Sequence, residues 1–185
     1  MGQGEPFQNY QATLEALRFA NAKDGLEIGA RHITVSTCGI IQGIERLANE
    51  PEQFTLAVSL HSALQDVRNE IMPRCSNIPL PHLKKALRSY IEKTGRRVSF
   101  EYLLIKGVTD TEENLAALID FCDGLLGHVN LLSVNEVEGS PYKPSSTATQ
   151  QRWVKELKSA GKEATIRNSR GSDIDGACGQ LKNKM

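Results

Sequence analysis

The sequence predicts an α/β fold with parallel strands, on three observations. Five short runs rich in β-branched and apolar residues alternate with segments whose apolar residues recur at helical spacing. The connections are short, so each strand–helix–strand unit closes as a right-handed parallel crossover. One run, 56–60 (LAVSL), is almost continuously apolar, as in a strand covered on both faces. The chain has 185 residues and 39% hydrophobic content, enough for one domain, 1–185, with a core of its own.

Residues 2–6, GQGEP, read as a loop with no strand before it. Asn9 is placed to cap a helix striped by Tyr10, Leu14 and Leu17 and closed by Gly25. Residues 32–37, HITVST, form the first strand, and 43–49 a short helix ahead of Pro51. The second strand, 56–60, ends at His61, and a polar loop with Cys75 and two prolines follows. Pro81 suits the first turn of a helix carrying Leu83, Leu87, Tyr90 and Ile91, which Gly95 stops. Residues 97–105, RVSFEYLLI, are the third strand. A Thr109/Glu112 capping box then opens a helix striped by Leu115, Leu118, Ile119, Cys122 and Leu126. Residues 129–134 are the fourth strand, ending at Asn135. The loop 136–146 leads to a helix with Trp153, Val154 and Leu157, closed at Gly161, and 164–168 are the fifth strand.

Charge and cysteine content narrow the function classes. Net charge is zero, but residues 151–185 hold eight Lys/Arg against four acids. That permits a phosphate-bearing partner near the C-terminus without forming the basic stripe of a dedicated nucleic-acid binder, and a solvated helix face accounts for it equally. The four cysteines, at 38, 75, 122 and 178, are scattered, unlike a secreted disulfide framework. With no leader and no apolar run of membrane-spanning length, the expected setting is the cytoplasm. Ligands of parallel α/β folds collect at the carboxyl ends of strands. Here those ends carry Ser36, Thr37 and Cys38, then Ser59, Leu60 and His61, then Lys106, Asn135 and Ser169–Arg170. Cys178 stands apart, flanked by Gly176, Ala177 and Gly179, so its sulfur is presented with little bulk around it. Taken alone it is also readable as a small packing cysteine.

Together GQGEP, HITVSTCGI, LAVSLH, VNLLSVNEVEGSPY and SRGSDIDGACGQL resemble, in order and spacing, the radical S-adenosylmethionine (SAM) RNA methyltransferases of the RlmN and Cfr type. The resemblance implies a partial (β/α) barrel of radical SAM type. The chain would be its C-terminal portion, truncated at the N-terminal end, with 169–185 as a tail carrying the methyl-accepting cysteine. The family's C-x-x-x-C-x-x-C loop, which holds a 4Fe-4S cluster, has no counterpart in this sequence, so no metal ligands are assigned here. The cluster would belong to the full-length protein only. The chain alone is expected to be inactive in radical chemistry and to leave apolar strand surface open beside residues 1–6.

By the same resemblance Gly4 and Glu5 match the SAM-binding loop, where a carboxylate accepts from the SAM ammonium. Ser36 matches a SAM-contacting serine at a strand end, and Ser59, Leu60 and His61 the segment beside SAM. Asn135 matches the asparagine facing the adenosyl group. Each alone is also an ordinary turn, strand-end or structural residue. Cys178 matches the cysteine that becomes S-methylated: a thiolate takes methyl from the sulfonium by direct displacement, which an electrophilic adenine ring carbon cannot do. In the family a radical generated from a second SAM then carries the methylene onto the base. The activity implied is methylation of adenine C2 in 23S rRNA, and also of tRNA, with the N-terminal part of the same protein as the missing partner. Cfr-like methylation at C8, a radical SAM activase, which has no use for Cys178, and an inactive SAM-binding fragment are the alternatives.

Overall fold

In the computed structural model, residues 4–135 and 140–167 are described. The strands are β1 (Thr34–Thr37), β2 (Thr55–Ser59), β3 (Val98–Leu104), β4 (Gly127–Ser133) and β5 (Glu163–Arg167). The helices are α1 (Tyr10–Asn21), α2 (Ile41–Leu47), α3 (Gln65–Ile71), α4 (Leu80–Thr94), α5 (Glu112–Cys122) and α6 (Thr147–Ser159). All four strand pairings are parallel, in the order β1-β2-β3-β4-β5.

That order decides the architecture. Successive right-handed crossovers that always step in one direction place every connecting helix on the same face of the sheet, the winding of a β/α barrel, whereas a doubly wound sheet reverses direction. The side chains agree. Val35, Leu56, Val58, Val98, Phe100, Tyr102, Leu104, Val129, Leu131 and Ala164 are buried on the helix side. Phe100 meets Phe121 of α5 edge to face, with ring centroids 5.9 Å apart, and Tyr102 lies 5.4 Å from Trp153 of α6. The opposite face carries Ser36, Ser59, Ser99, Glu101, His128, Asn130, Thr165 and Arg167, one polar row per alternate position. β2 is buried along both faces beyond Thr55, as its apolar run predicts, with Ala57 and Ser59 at 3% exposure beside Leu56 and Val58 at 0%.

Several local expectations are corrected. Segment 65–71, expected in a loop, is α3, whose three-residue lead from His61 is too short to reveal a boundary. The cap of α5 is Thr111, whose hydroxyl accepts from Asn114 N, while Thr109 bonds Leu103 O and Ile105 N. Leu126 lies past the helix and is 53% exposed. Asn9 makes no side-chain cap, because residues Pro6–Asn9 form a 3-10 turn running straight into α1. Nor does the open edge beside β1 show apolar strand surface among the described residues: Thr34 is exposed and Ser36 half-buried. The exposed large apolar side chains are Phe19, Leu26, Ile28 and Leu126.

Candidate functional site

The loop carrying Gly4 and Glu5 is seated by packing. Phe7 is buried against Gly43 of α2, where a Cβ would stand 2.2 Å from the Phe7 ring, so only glycine lets the loop approach. Gly4 has φ +95, a conformation that side chains resist. This brings the Glu5 carboxylate to the end of β1. Oε1 accepts from the Thr37 hydroxyl (2.7 Å) and Phe7 N (3.1 Å), and Oε2 accepts from Cys38 N (2.7 Å). Two charge-assisted bonds thus tie the loop to the strand end, and Oε2 keeps a lone pair for another donor.

Arg68 is the anchor the sequence did not reveal. It is fully buried, and its guanidinium donates to three carbonyls from separate segments: Cys38 O beyond β1 (2.6 Å), Leu60 O beyond β2 (3.2 Å) and Cys75 O (3.5 Å). Burial pushes its acidity toward easier deprotonation. The fork geometry of the guanidinium, which lysine lacks, fits three diverging acceptors. Its sequence signal is an arginine at the apolar phase of a helix of seven residues, too few for the periodicity to stand out from a polar loop.

Past β2 the chain turns sharply. His61 has φ +57, unusual for a non-glycine, and both Leu60 N (3.0 Å) and His61 N (3.1 Å) donate to Glu101 O of β3. His61 Nδ1 is buried without a hydrogen-bond partner. Burial first, and the Arg68 charge second, lower its pKa to about 4, so the ring is neutral at pH 7. Leu60 contributes no free group: its side chain is in the core and its N–H and carbonyl are both bonded. Next to it Ser62 donates to Asn114 Oδ1 (2.8 Å), which also accepts from the Tyr102 hydroxyl (3.2 Å), and Asn114 Nδ2 donates to Val108 O (3.1 Å). This buried network locks the loops after β2 and β3 together.

Ser36 and Ser59 lie on the polar face two register positions apart, since Ser36 pairs with Ala57. Asn135 follows the end of β4 by two residues at the same rim. The segment Lys143–Pro144 pairs with the chain just beyond the end of β3, where Lys106 N donates to Lys143 O and Ile105 bridges to Pro144. The structure therefore brings Glu5, Ser36, Ser59, His61 and Asn135 to the carboxyl end of one sheet. Cys178 lies outside the described residues. Among those described, Cys75 and Cys122 are buried and Cys38 half-buried. Burial first, then the neighbouring Cys75 and Glu5 groups, push the Cys38 thiol up, and burial pushes Cys122 up to about 12, so neither is poised as a nucleophile. A shallow cavity of about 190 Å³, lined by Gln53, Phe54, Tyr90, Lys93 and Arg96 among others, sits at the opposite, amino ends of β2 and β3.

Comparison with known proteins agrees with this fold. No family model matches. The chain is 48% identical, over its full length, to a probable dual-specificity RNA methyltransferase RlmN of Geobacillus kaustophilus, and 45% identical to its namesake from Caldanaerobacter subterraneus subsp. tengcongensis. It spans 50% and 54% of those proteins, about half of their length. A crystal structure of a radical SAM methyltransferase from Sphaerobacter thermophilus superposes with a TM-score of 0.93 at 46% identity, covering 97% of this chain and 53% of that one. A domain of a pyruvate-formate lyase-activating enzyme from Bacteroides vulgatus, at 19% identity and a TM-score of 0.68, shares the fold alone.

Proposed function

We infer, from the premise that the chain belongs to the RlmN-type radical SAM methyltransferases over the half of their length that it spans, that it is the SAM-binding and methyl-carrying part of such an enzyme. The observation that carries this is the convergence of Glu5, Ser36, Ser59, His61 and Asn135 at one rim of a sheet whose helix-free face is polar. In this reading Glu5 accepts from the ammonium of SAM with the lone pair left on Oε2. Ser36 and Ser59 supply hydroxyls, and Asn135 faces the adenosyl group. SAM supplies an electrophilic methyl group. Neutral His61 adds no positive charge beside the sulfonium, and Gly4 lets the ligand approach the backbone.

Cys178 is the methyl acceptor in this reading: its thiolate attacks the methyl carbon of SAM, the new S–CH3 bond forming as the bond to the sulfonium sulfur breaks and S-adenosylhomocysteine leaves. The target is adenine C2 in 23S rRNA, and by the same chemistry in tRNA. Among the described residues no three His, Cys, Asp or Glu gather as a metal-binding group, so those residues do not fit the iron–sulfur cluster that the family implies. The chain alone, reconstituted with iron and sulfide and given dithionite and SAM, should form no 5′-deoxyadenosine. Its appearance would sink that part of the proposal.

The test of function uses the chain within a protein carrying the rest of the radical SAM domain. Peptide mass spectrometry should find methyl on Cys178, lost in Cys178→Ala and retained when Cys38, Cys75 or Cys122 is changed. Nucleoside analysis of rRNA from cells lacking their own enzyme should show 2-methyladenosine. 8-Methyladenosine would move the assignment to Cfr-type chemistry, and methyl on Cys75 would overturn the role of Cys178.

A further inference from the structure

We propose that Glu101 belongs to the ligand site as the acceptor for the ribose hydroxyls of the adenosyl group, an inference that rests on the SAM-binding reading above. Glu101 is paired in register with Ser59 on the polar face, one strand further into the sheet. Its carbonyl holds the N–H groups of both Leu60 and His61, so its position relative to the β2 rim is set by the backbone. The residue is only 7% exposed. Its two carboxylate oxygens are treated differently. Oε1 accepts from Asn130 Nδ2 at 2.8 Å, and Asn130 is itself held by Thr165, whose hydroxyl donates to Asn130 Oδ1 at 3.1 Å and meets His128 Nε2 at 2.9 Å. Oε2 is buried and makes no hydrogen bond. Arg167 NH1 lies 3.5 Å from it, an ion-pair distance without hydrogen-bond geometry, on a side chain that is 66% exposed.

A buried carboxylate oxygen left without a donor is costly, and native proteins rarely keep one without a use. Here a three-residue chain of hydrogen bonds fixes the carboxylate on the polar face, on a residue in register with Ser59. Vicinal hydroxyls are the fitting donors: they are neutral, so they leave the Arg167 pairing intact, and carboxylates on strands take ribose hydroxyls in nucleotide-binding folds generally. The ammonium of SAM is taken in this reading by Glu5 at the other end of the rim, which leaves the hydroxyls as the donors for Glu101.

The test is calorimetric titration, with S-adenosylhomocysteine and its 2′-deoxy and 3′-deoxy analogues, of the chain within a protein carrying the rest of the radical SAM domain. Wild type should bind S-adenosylhomocysteine and lose about 10- to 100-fold in affinity for at least one deoxy analogue. Glu101→Gln should weaken the parent ligand by a similar factor, and should discriminate the analogues no further. The analogue comparison needs no variant, so it stands even if Glu101→Gln fails to fold. Equal affinity of wild type for all three ligands, or unchanged affinity in a folded Glu101→Gln, overturns the role of Glu101 while leaving the SAM site standing. Absence of binding to wild type overturns both.

Discussion

The two faces of β3 differ in what each residue is asked to do. Val98, Phe100, Tyr102 and Leu104 point into the helix layer and are inaccessible to solvent, and Ser99, Glu101 and Leu103 alternate with them on the other side. On the helix face a side chain's worth is the apolar area it removes from water and the void its loss would leave. On the polar face hydrogen bonds to neighbouring strands replace area, and each nets little because water would supply the same bond. One sheet thus separates stability from ligand chemistry, with the rim as the place where the two meet.

The largest break in that separation should come from the helix face. Phe100→Ala removes a ring packed against Phe121 and against Gly127, where a Cβ would lie 2.3 Å from the ring, and should cost about 3–5 kcal/mol in urea unfolding. A loss under 1 kcal/mol would mean that this face is not the stabilising one. At the rim, Arg68→Met leaves three buried carbonyls with a lost donor and should cost about 3 kcal/mol. Arg68→Lys should recover only part of this, because one ammonium cannot reach three diverging acceptors.

His61 sharpens the comparison through pH. Its pKa is depressed to about 4 in the folded chain from an unfolded value of 6.5, so the unfolded state binds the extra proton between those values. The contribution is complete above about pH 6.5 and is lost as pH falls toward 4, up to ~3 kcal/mol in all. Unfolding free energies measured from pH 7 to 5 should therefore fall less steeply in His61→Asn, a residue that tolerates positive φ. Identical slopes would place the imidazole in water. The smallest effect belongs to the polar face: Asn130→Ala breaks the bonds to Glu101 and Thr165 and leaves the Glu101 carboxylate short of its donor, which should cost about 1.5–2.5 kcal/mol. A cost equal to that of Phe100→Ala would erase the distinction between the faces.

Legibility followed the range of the interactions. Each of the five strands was readable to within two residues, because alternation and β-branched runs are properties of neighbouring residues. Gly95, at φ +66, ends α4 where the sequence places it. The short α3 was not legible, and its Arg68 with it, since seven residues carry too little periodicity to separate from a polar loop. The capping residue of α5 was misplaced by two positions because Thr109 and Thr111 offer the same hydroxyl. Which one caps depends on where Leu103 O and Ile105 N lie, and that is a tertiary matter.

By itself the sequence determined the alternation of elements, the parallel α/β class and the residues available at each strand end, all consequences of local propensity and of side-chain period. Only the tertiary structure decided that the strands run in simple order with every helix on one side, which exposes a polar face instead of burying it. It alone paired Ser59 with Glu101 and left one oxygen of that carboxylate without a donor. It also sent the Arg68 guanidinium to three carbonyls up to 30 positions away. Register and long-range hydrogen bonds join residues that share no sequence neighbourhood, so no local pattern can announce them.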